Sequence, residues 1–243
     1  MSWINCLPDY VMVEIFENMT PKMIKSCCLF CKRWDDIIST SKQLMGKYRL
    51  SFNTSFDYKK SMHLKRKYQD VNIKMLFLPS LKAIIRHNIH TLELSSRPIL
   101  KLSIFIQLLN SIPLLKVLKV DFETFIYDIQ NIEESMKVST NLEEVRCVAE
   151  ICHIFGCSTI KVLDLFWKET INYKGRLLIF EYLNKQKHLE DFKLNEHANG
   201  EFFRYQASNA QMFAFCLKIF VYYTSRFDKY QQLINFLELH KNL

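Results

Sequence analysis

The chain has 243 residues, more than one average domain and fewer than two, and 49% of them are hydrophobic, so a substantial core is expected. Its 4 glycines and 5 prolines are too few for a Gly-rich all-β fold or for long disordered tracts. The formal net charge of +8 favours acidic partners on average. We interpret the basic run of Lys59-Lys60 with Lys65-Arg66-Lys67 as a solvated face, in preference to a nuclear-import signal or a phosphate contact.

Helical signals dominate the first 47 residues. Pro8 and Asp9 suit the first turn of a helix, where a missing N–H is tolerated and a carboxylate complements the helix dipole. Thr20 followed by Pro21 predicts the N-cap and first position of a second helix. A third helix is predicted through residues 34–38. We therefore expect a compact all-helical module at the start of the chain.

This module resembles the F-box family over roughly residues 4–50. The matching motifs, in chain order, are Leu7-Pro8-Asp9, Val11, Glu14-Ile15-Phe16, Cys28-Leu29, Cys31-Lys32-Arg33-Trp34 and Ile37-Ile38. F-box modules dock a protein onto the linker subunit of SCF-type cullin–RING ubiquitin ligases. The resemblance assigns the linker-subunit contact to Leu7, Pro8, Val11, Ile15, Lys32 and Trp34.

The same resemblance gives Phe16 and Leu29 the role of holding the helices together. The residues by themselves also allow another interpretation, in which the three helices only cap the rest of the chain. A module this small cannot bury all of its apolar surface alone, which favours a partner.

A weak repeat of the form L-x-x-L-x-L, with any apolar residue allowed, runs through the rest of the chain. It begins at Ile89, Leu115, Leu142, Ile160, Leu189 and Leu217, in steps of 26, 27, 18, 29 and 28 residues. Leucine-rich repeats have a period of about 20–29 residues. The 18-residue step indicates either a compressed repeat or a wrong register. Looser matches at Met45 and Tyr68 extend the pattern back towards the module.

Helical spacing lies between the predicted strands, over residues 102–109 and 230–237. The predicted fold is therefore an α/β solenoid. It consists of an F-box-like all-α module at residues 1–50 and an irregular leucine-rich-repeat stack of parallel strands and helices at residues 51–243. Leu243 lies 26 residues after Leu217 and would open a further unit. Either the chain is a fragment of a longer repeat protein or its last helix caps the stack; we favour the fragment.

Side chains between the apolar strand positions should face the concave surface of the stack, because side chains alternate along a strand. The residues expected to bind a target protein are Thr91, Glu93, Lys119, Glu144, Arg146, Asp164, Asp191 and Lys193. Their apolar neighbours on this surface are Val117, Val162, Ile219 and Val221. Charges of both signs mixed with aliphatic side chains favour protein recognition over a uniformly basic nucleic-acid groove.

The sequence shows no signature of metal or enzyme chemistry. Cys28-x-x-Cys31 has the spacing of two metal ligands, but no second pair is present to complete a four-ligand zinc site. Cys147, Cys152 and Cys157 form a looser group that is also predicted to be core. The glycines are isolated, so no phosphate-binding loop is formed, and nucleophile-elbow and metalloprotease motifs are missing. We expect no metal, no cofactor and no catalytic residue.

The resemblance implies a substrate-recruiting adaptor, a non-catalytic subunit of a ubiquitin ligase. Its partners would be the linker subunit, through it a cullin, and a target protein. The other hypothesis is a scaffold without ubiquitin chemistry, whose repeats bind protein or RNA. The first residues lack the basic region and apolar run that are typical of a signal peptide, and no run of about 18 apolar residues occurs in the sequence. We therefore expect a cytoplasmic or nuclear protein with no membrane partner.

Overall fold

The computed structural model describes residues 6–52, 66–74, 88–95, 100–121, 125–126, 138, 141–155, 159–168, 171, 173–196, 202–203, 217–224 and 230–239. Four helices come first, and a parallel sheet with helices follows. This order fits the predicted α/β solenoid-like arrangement. Leu243, on which the prediction of a further unit depends, lies outside the described residues.

The helical module consists of α1 (Asp9–Glu17), α2 (Pro21–Cys27), α3 (Lys32–Thr40) and α4 (Lys42–Met45). The predicted cap of α2 is confirmed, because Thr20 Oγ1 accepts the Met23 N–H at 3.4 Å. Ser41 caps α4 in the same way through the Leu44 N–H. The module has its own hydrophobic core, formed by Met12, Phe16, Ile24, Cys27, Ile37, Ile38 and Leu44.

The main sheet has eight parallel strands that follow one another in space as they do along the chain. They are β1 (Arg49–Phe52), β2 (Asp70–Ile73), β3 (Thr91–Leu94), β5 (Val117–Val120), β7 (Glu144–Val148), β8 (Val162–Trp167), β9 (Asp191–Glu196) and β10 (Ile219–Thr224). The six repeat matches and both looser ones each correspond to one of these strands. Each strand begins after the first apolar residue of its match, and those first residues are buried: Ile89, Leu115, Leu142, Ile160, Leu189 and Leu217.

One hydrogen-bond arrangement recurs at the entry to successive strands. The carbonyl of the residue just before a strand accepts two N–H groups at the start of the next strand. The His90 carbonyl accepts from Lys116 and Val117, both at 2.9 Å. The Lys116, Glu143, Lys161 and Glu190 carbonyls accept in the same way from the strands that follow. The connections therefore differ in length while the strand entries keep one geometry.

The 18-residue step is a compressed unit in the correct register. Val162 lies beside Glu144 in the parallel pairing of β7 and β8, 18 residues apart along the chain. A 3₁₀ helix, Ala149–Ile154, replaces the longer connections here, and its apolar residues are buried. A 3₁₀ helix is narrower than an α-helix. This short element is why the step falls below the usual period.

Helices cover one face of the sheet. Those within the described residues include α5 (Leu102–Asn110), α6 (Tyr173–Asn184) and α7 (Tyr230–Leu239). The predicted helices at 102–109 and 230–237 are confirmed. Alternate strand residues such as Leu92, Leu118 and Leu163 point into this core and are fully buried. A second sheet, β4 (Leu100–Lys101) with β6 (Phe125–Ile126), is too short to have been predicted.

The opposite side of the main sheet, which we call the open face, carries the residues between the core positions. The burial pattern alternates strictly in β3, β5, β8 and β9. Among the described residues, no helix is long and apolar enough to cross a membrane.

Candidate functional site

The first predicted contact residues form one line along α1. Pro8, Val11 and Ile15 are three and four residues apart and therefore share one side of the helix. Pro8 is exposed, and Val11 and Ile15 are half-buried. The neighbouring stripe, Met12 and Phe16, is buried in the module core. The line therefore lies at the border between the core and the surface.

Arg33 connects the start of α1 to the start of α3. Its Nη2 donates to the Leu7 carbonyl oxygen and to Asp9 Oδ1, each at 2.6 Å. This connection brings the Leu7-Pro8 pair next to the segment that contains the exposed Lys32. Leu7 and Lys32 are far apart in sequence, and the Arg33 contacts bring their two motifs together in the structure.

Trp34, the last of the predicted contact residues, packs between two phenylalanine rings. Its ring meets Phe16 edge to face at 5.6 Å between centroids, and it packs against Phe30 at 5.4 Å. Trp34 is half-buried, whereas Phe30 is 75% exposed. Aromatic rings that are rigidly held and open to solvent are typical anchors of protein interfaces.

The assignment of Leu29 to helix packing is wrong. Leu29 is 86% exposed, whereas Phe16, its supposed companion, is 1% exposed. Leu29 lies in the turn between α2 and α3, where no helical face directs it inwards. Tyr10 and Met23 are also exposed large apolar side chains of the module. The sequence does contain a signal for this exposure: Leu29 and Phe30 follow Cys27, the last buried residue of α2, and so lie beyond the end of that helix.

The open face begins with a polar network on β1 to β3. Arg49 pairs with Asp70 at 3.0 Å and with Glu93 at 2.9 Å. Asn72 Nδ2 donates to the other oxygen of Glu93 at 3.0 Å, and the Ser95 hydroxyl donates to Asn72 at 2.9 Å. These polar side chains are therefore largely satisfied by one another.

Ion pairs continue across the middle strands. Lys119 lies 3.1 Å from Glu144, and Arg146 lies 3.7 Å from Asp121 and 3.8 Å from Asp164. Asp164 also accepts from Asn195 Nδ2 at 2.6 Å. Burial raises the pKa of the Asp164 carboxyl, and the charges of Arg146 and Lys193 oppose that rise. All eight predicted target-binding residues lie on this face: Thr91, Glu93, Lys119, Glu144, Arg146, Asp164, Asp191 and Lys193.

The described thiols show no metal-binding arrangement. No group of three or more His, Cys, Asp or Glu that could hold a metal ion occurs in the part of the chain that the structure describes. Burial raises the pKa of the Cys147 and Cys152 thiols well above the usual value, so both stay protonated. Cys28 and Cys31 are half-buried, and Cys157 lies outside the described residues.

Arg66, in the middle of the predicted basic run, is not simply solvated. Arg66 Nε donates to Ser39 Oγ at 2.9 Å, and its guanidinium pairs with Asp35. Both partners belong to α3, whereas Arg66 follows β1 along the chain. Arg66 therefore connects the helical module to the segment that leads into β2.

Comparison with known families assigns the first part of the chain. Residues 4–50 match the family model described as F-box-like, and these residues include all four helices of the module. This match supports an F-box protein and, in general terms, an adaptor of SCF type that binds a linker subunit. No curated protein sequence matches the chain.

Proposed function

We propose that this protein is a substrate-recruiting adaptor of an SCF-type ubiquitin ligase. The observation that carries the proposal is the F-box-like match over residues 4–50, which coincides with a four-helix module that has its own core. The module would bind the linker subunit and, through it, a cullin. The sheet and helices that follow, which we propose to be leucine-rich repeats, would bind a target protein with the open face.

The linker contact would combine the predicted residues with the exposed apolar ones. Pro8, Val11, Ile15 and Lys32 reach the surface of the module. Phe30, packed against Trp34, would add an aromatic anchor. A module that exposes such side chains gains stability when a partner removes them from water, at about 25 cal/mol for each Å² of apolar surface buried.

The mechanism would be proximity. An adaptor holds the lysines of a target near a charged conjugating enzyme and so converts a bimolecular encounter into a local one. No catalytic residue of the adaptor is needed for this effect. Such an adaptor would act in the cytoplasm, the nucleus or both.

Co-expression with the linker subunit, followed by size-exclusion chromatography, tests the proposal. We expect a stoichiometric complex, and we expect the Phe30→Ser substitution to weaken it by about tenfold or more, because anchors of this kind dominate interface energies. Leu114→Ser is the matched control, since Leu114 is another exposed apolar side chain outside the module.

Leu7→Ala is a poorer test than Phe30→Ser, because Leu7 packs against the module core and its loss would disturb folding. A monodisperse protein that ignores the linker subunit would contradict the proposal. That result would favour the scaffold without ubiquitin chemistry. Binding of RNA by such a scaffold would weaken steeply with added salt, whereas an apolar contact would not.

A further inference from the structure

The open face changes in chemistry from its first strands to its last. On β1 to β3 its side chains are polar and bonded to one another, as in the Arg49–Glu93 pair. On β10 they are Ile219, Val221 and Tyr223. Ile219 is 49% exposed and Tyr223 is 57% exposed. Among the described strands, the large apolar side chains exposed on this face are therefore concentrated on the last one.

Strand register shows what surrounds this apolar surface. Ile219 lies beside Asp191, Val221 beside Lys193, and Tyr223 beside Asn195. On the other side of β9, the three β9 residues Asp191, Lys193 and Asn195 lie beside the β8 residues Val162, Asp164 and Phe166. Lys193 therefore occupies the centre of a patch with aliphatic and aromatic side chains on both flanking strands. We call these residues of β8, β9 and β10 the apolar patch.

Lys193 differs from the other cations of the open face. Arg49, Lys119 and Arg146 each lie within 4.0 Å of a carboxylate. Lys193 forms no such ion pair with any described residue, although the charge of Asp164 is near enough to interact with it. The ammonium group is thus available to an acid from outside the protein.

We propose that the apolar patch is the target-binding part of the open face, and that it takes a peptide segment in which apolar side chains flank an acidic residue. The carboxylate would pair with Lys193, and the apolar side chains would cover Ile219, Val221 and Tyr223. This inference rests on the proposed function, which it deepens by naming the chemistry of the target.

Charge disfavours a polyanion as the occupant. Asp164 lies beside Lys193 on β8 and Asp191 lies two residues before it on β9, so a nucleic-acid backbone would bring several phosphates against two carboxylates. A peptide with one carboxylate brings a single negative charge to Lys193, and the charge of the neighbouring Asp164 is already partly compensated by Arg146, 3.8 Å away. A further strand pairing with β10 would add to the edge of the sheet and leave this face uncovered.

Selection from a library of random peptides displayed on phage tests the inference. The full chain is immobilised without the linker subunit, so that the result does not depend on the helical module. Enriched sequences should combine aromatic or aliphatic residues with Asp or Glu. The affinity of an enriched peptide is then measured by fluorescence anisotropy against the wild type and four variants: Ile219→Ser, Tyr223→Ser, Lys193→Glu and Val117→Ser.

Ile219→Ser and Tyr223→Ser should each weaken peptide binding by about tenfold, as expected for central interface side chains. Val117→Ser is the matched control, because Val117 occupies the same register row as Ile219 but lies on β5. It should change binding by less than about twofold. The Lys193→Glu variant should no longer bind the acidic peptide. It should instead bind the same peptide with its acidic residue replaced by Lys.

Enriched peptides that lack an acidic residue would overturn the inference, as would peptides whose binding is unchanged by Ile219→Ser and Tyr223→Ser. So would a selection that enriches nothing. Each of these results leaves the linker-subunit complex to be judged separately, because that complex is assembled on the module and measured in its own experiment.

Discussion

Two large apolar side chains of the helical module have opposite roles. Phe16 is buried against Trp34 and the module core, whereas Leu29 is exposed in a turn. The sequence pattern treated them alike, because both are apolar residues at family positions. Burial depends on how α1 and α3 pack, and no local pattern contains that information.

We predict that Phe16→Ala lowers the free energy of unfolding of the module by about 3–5 kcal/mol, because it leaves a cavity in a close-packed core. Leu29→Ala should change it by less than about 0.5 kcal/mol, as is usual for exposed side chains. Hydrogen exchange of the α1 and α3 amides at increasing urea concentration would measure both. Equal losses for the two variants would show that Leu29 is packed after all.

Glu150 is a carboxylate in an unfavourable environment. Burial raises the pKa of its carboxyl above the ordinary value of 4.5, and Lys168 opposes that rise only in part. Its Oε2 atom is buried without a hydrogen-bond partner. Because the pKa is higher in the folded state, the folded protein loses stability relative to the unfolded chain as the pH rises from 4.5 through the folded-state pKa.

We therefore predict that Glu150→Gln stabilises the protein at pH 7, by about 1 kcal/mol or more, since a neutral amide costs less to bury than a carboxylate. The advantage should shrink as the pH falls and vanish below about pH 4, where the carboxyl is protonated in both states. Unfolding free energies of both proteins across this pH range would test the prediction. An advantage independent of pH would refute the charge explanation.

At the scale of elements, the residues just before the strands form a row of alternating charge. Each residue of this row immediately precedes a strand, so the row runs along the amino ends of the parallel strands. In chain order the residues are Lys116, Glu143, Lys161, Glu190 and Lys218. Lys116 lies 2.7 Å from Glu143, and Lys218 lies 2.8 Å from Glu190. These hydrogen bonds lower the pKa of both carboxyls, and the charge of Lys161 adds to the effect.

Lys161→Glu should destabilise the sheet, because it places three carboxylates next to one another along this row. The loss should decrease as salt is added, since the Debye length falls from about 10 Å at 0.1 M to about 3 Å at 1 M. Thermal unfolding at low and high salt is the measurement. Lys185→Glu, an exposed lysine at the end of α6, is the control, and a loss of the same size there would contradict the prediction.

Sequence was a good guide to the strands and a poor guide to this row. The alternation of Leu92 and Leu94 with polar residues predicts β3, because every second side chain of a strand points into the core. The pairing of Lys116 with Glu143 depends on the register between two strands, and no pattern within either strand contains that register. For the same reason, the sequence could not predict the ion pairs of Arg49 with Asp70 and Glu93 on the open face, which join three different strands.

At the scale of the whole molecule, the helical module and the sheet have separate hydrophobic cores. The division predicted at residue 50 falls inside β1 (Arg49–Phe52), whose Leu50 packs against the core of the sheet. The order of elements, helices and then a parallel sheet with helices, could be predicted because each element has a periodicity of its own. The contacts across the division could not, since Arg66 reaches Asp35 and Ser39 from a distant position in the chain.

We predict that Arg66→Ala loosens α3 from the rest of the protein while both cores remain folded. Hydrogen exchange of α3 amides should accelerate, corresponding to a loss of about 1 kcal/mol, because charge-assisted hydrogen bonds at a partly exposed site contribute about this much. Arg66→Lys should restore little of it, since an ammonium group cannot reproduce the two-sided geometry of a guanidinium. Unchanged exchange in α3 would show that the module is held by other contacts.

The order of the strands has a consequence for how the protein is made. Each strand from β2 to β10 in the main sheet pairs with the strand that precedes it in the sheet and in the chain. During synthesis, a new strand therefore finds its partner already outside the ribosome. The helical module comes first, and the sheet can then grow from it one strand at a time. Chains of this topology can fold as they are translated, without waiting for their last residues.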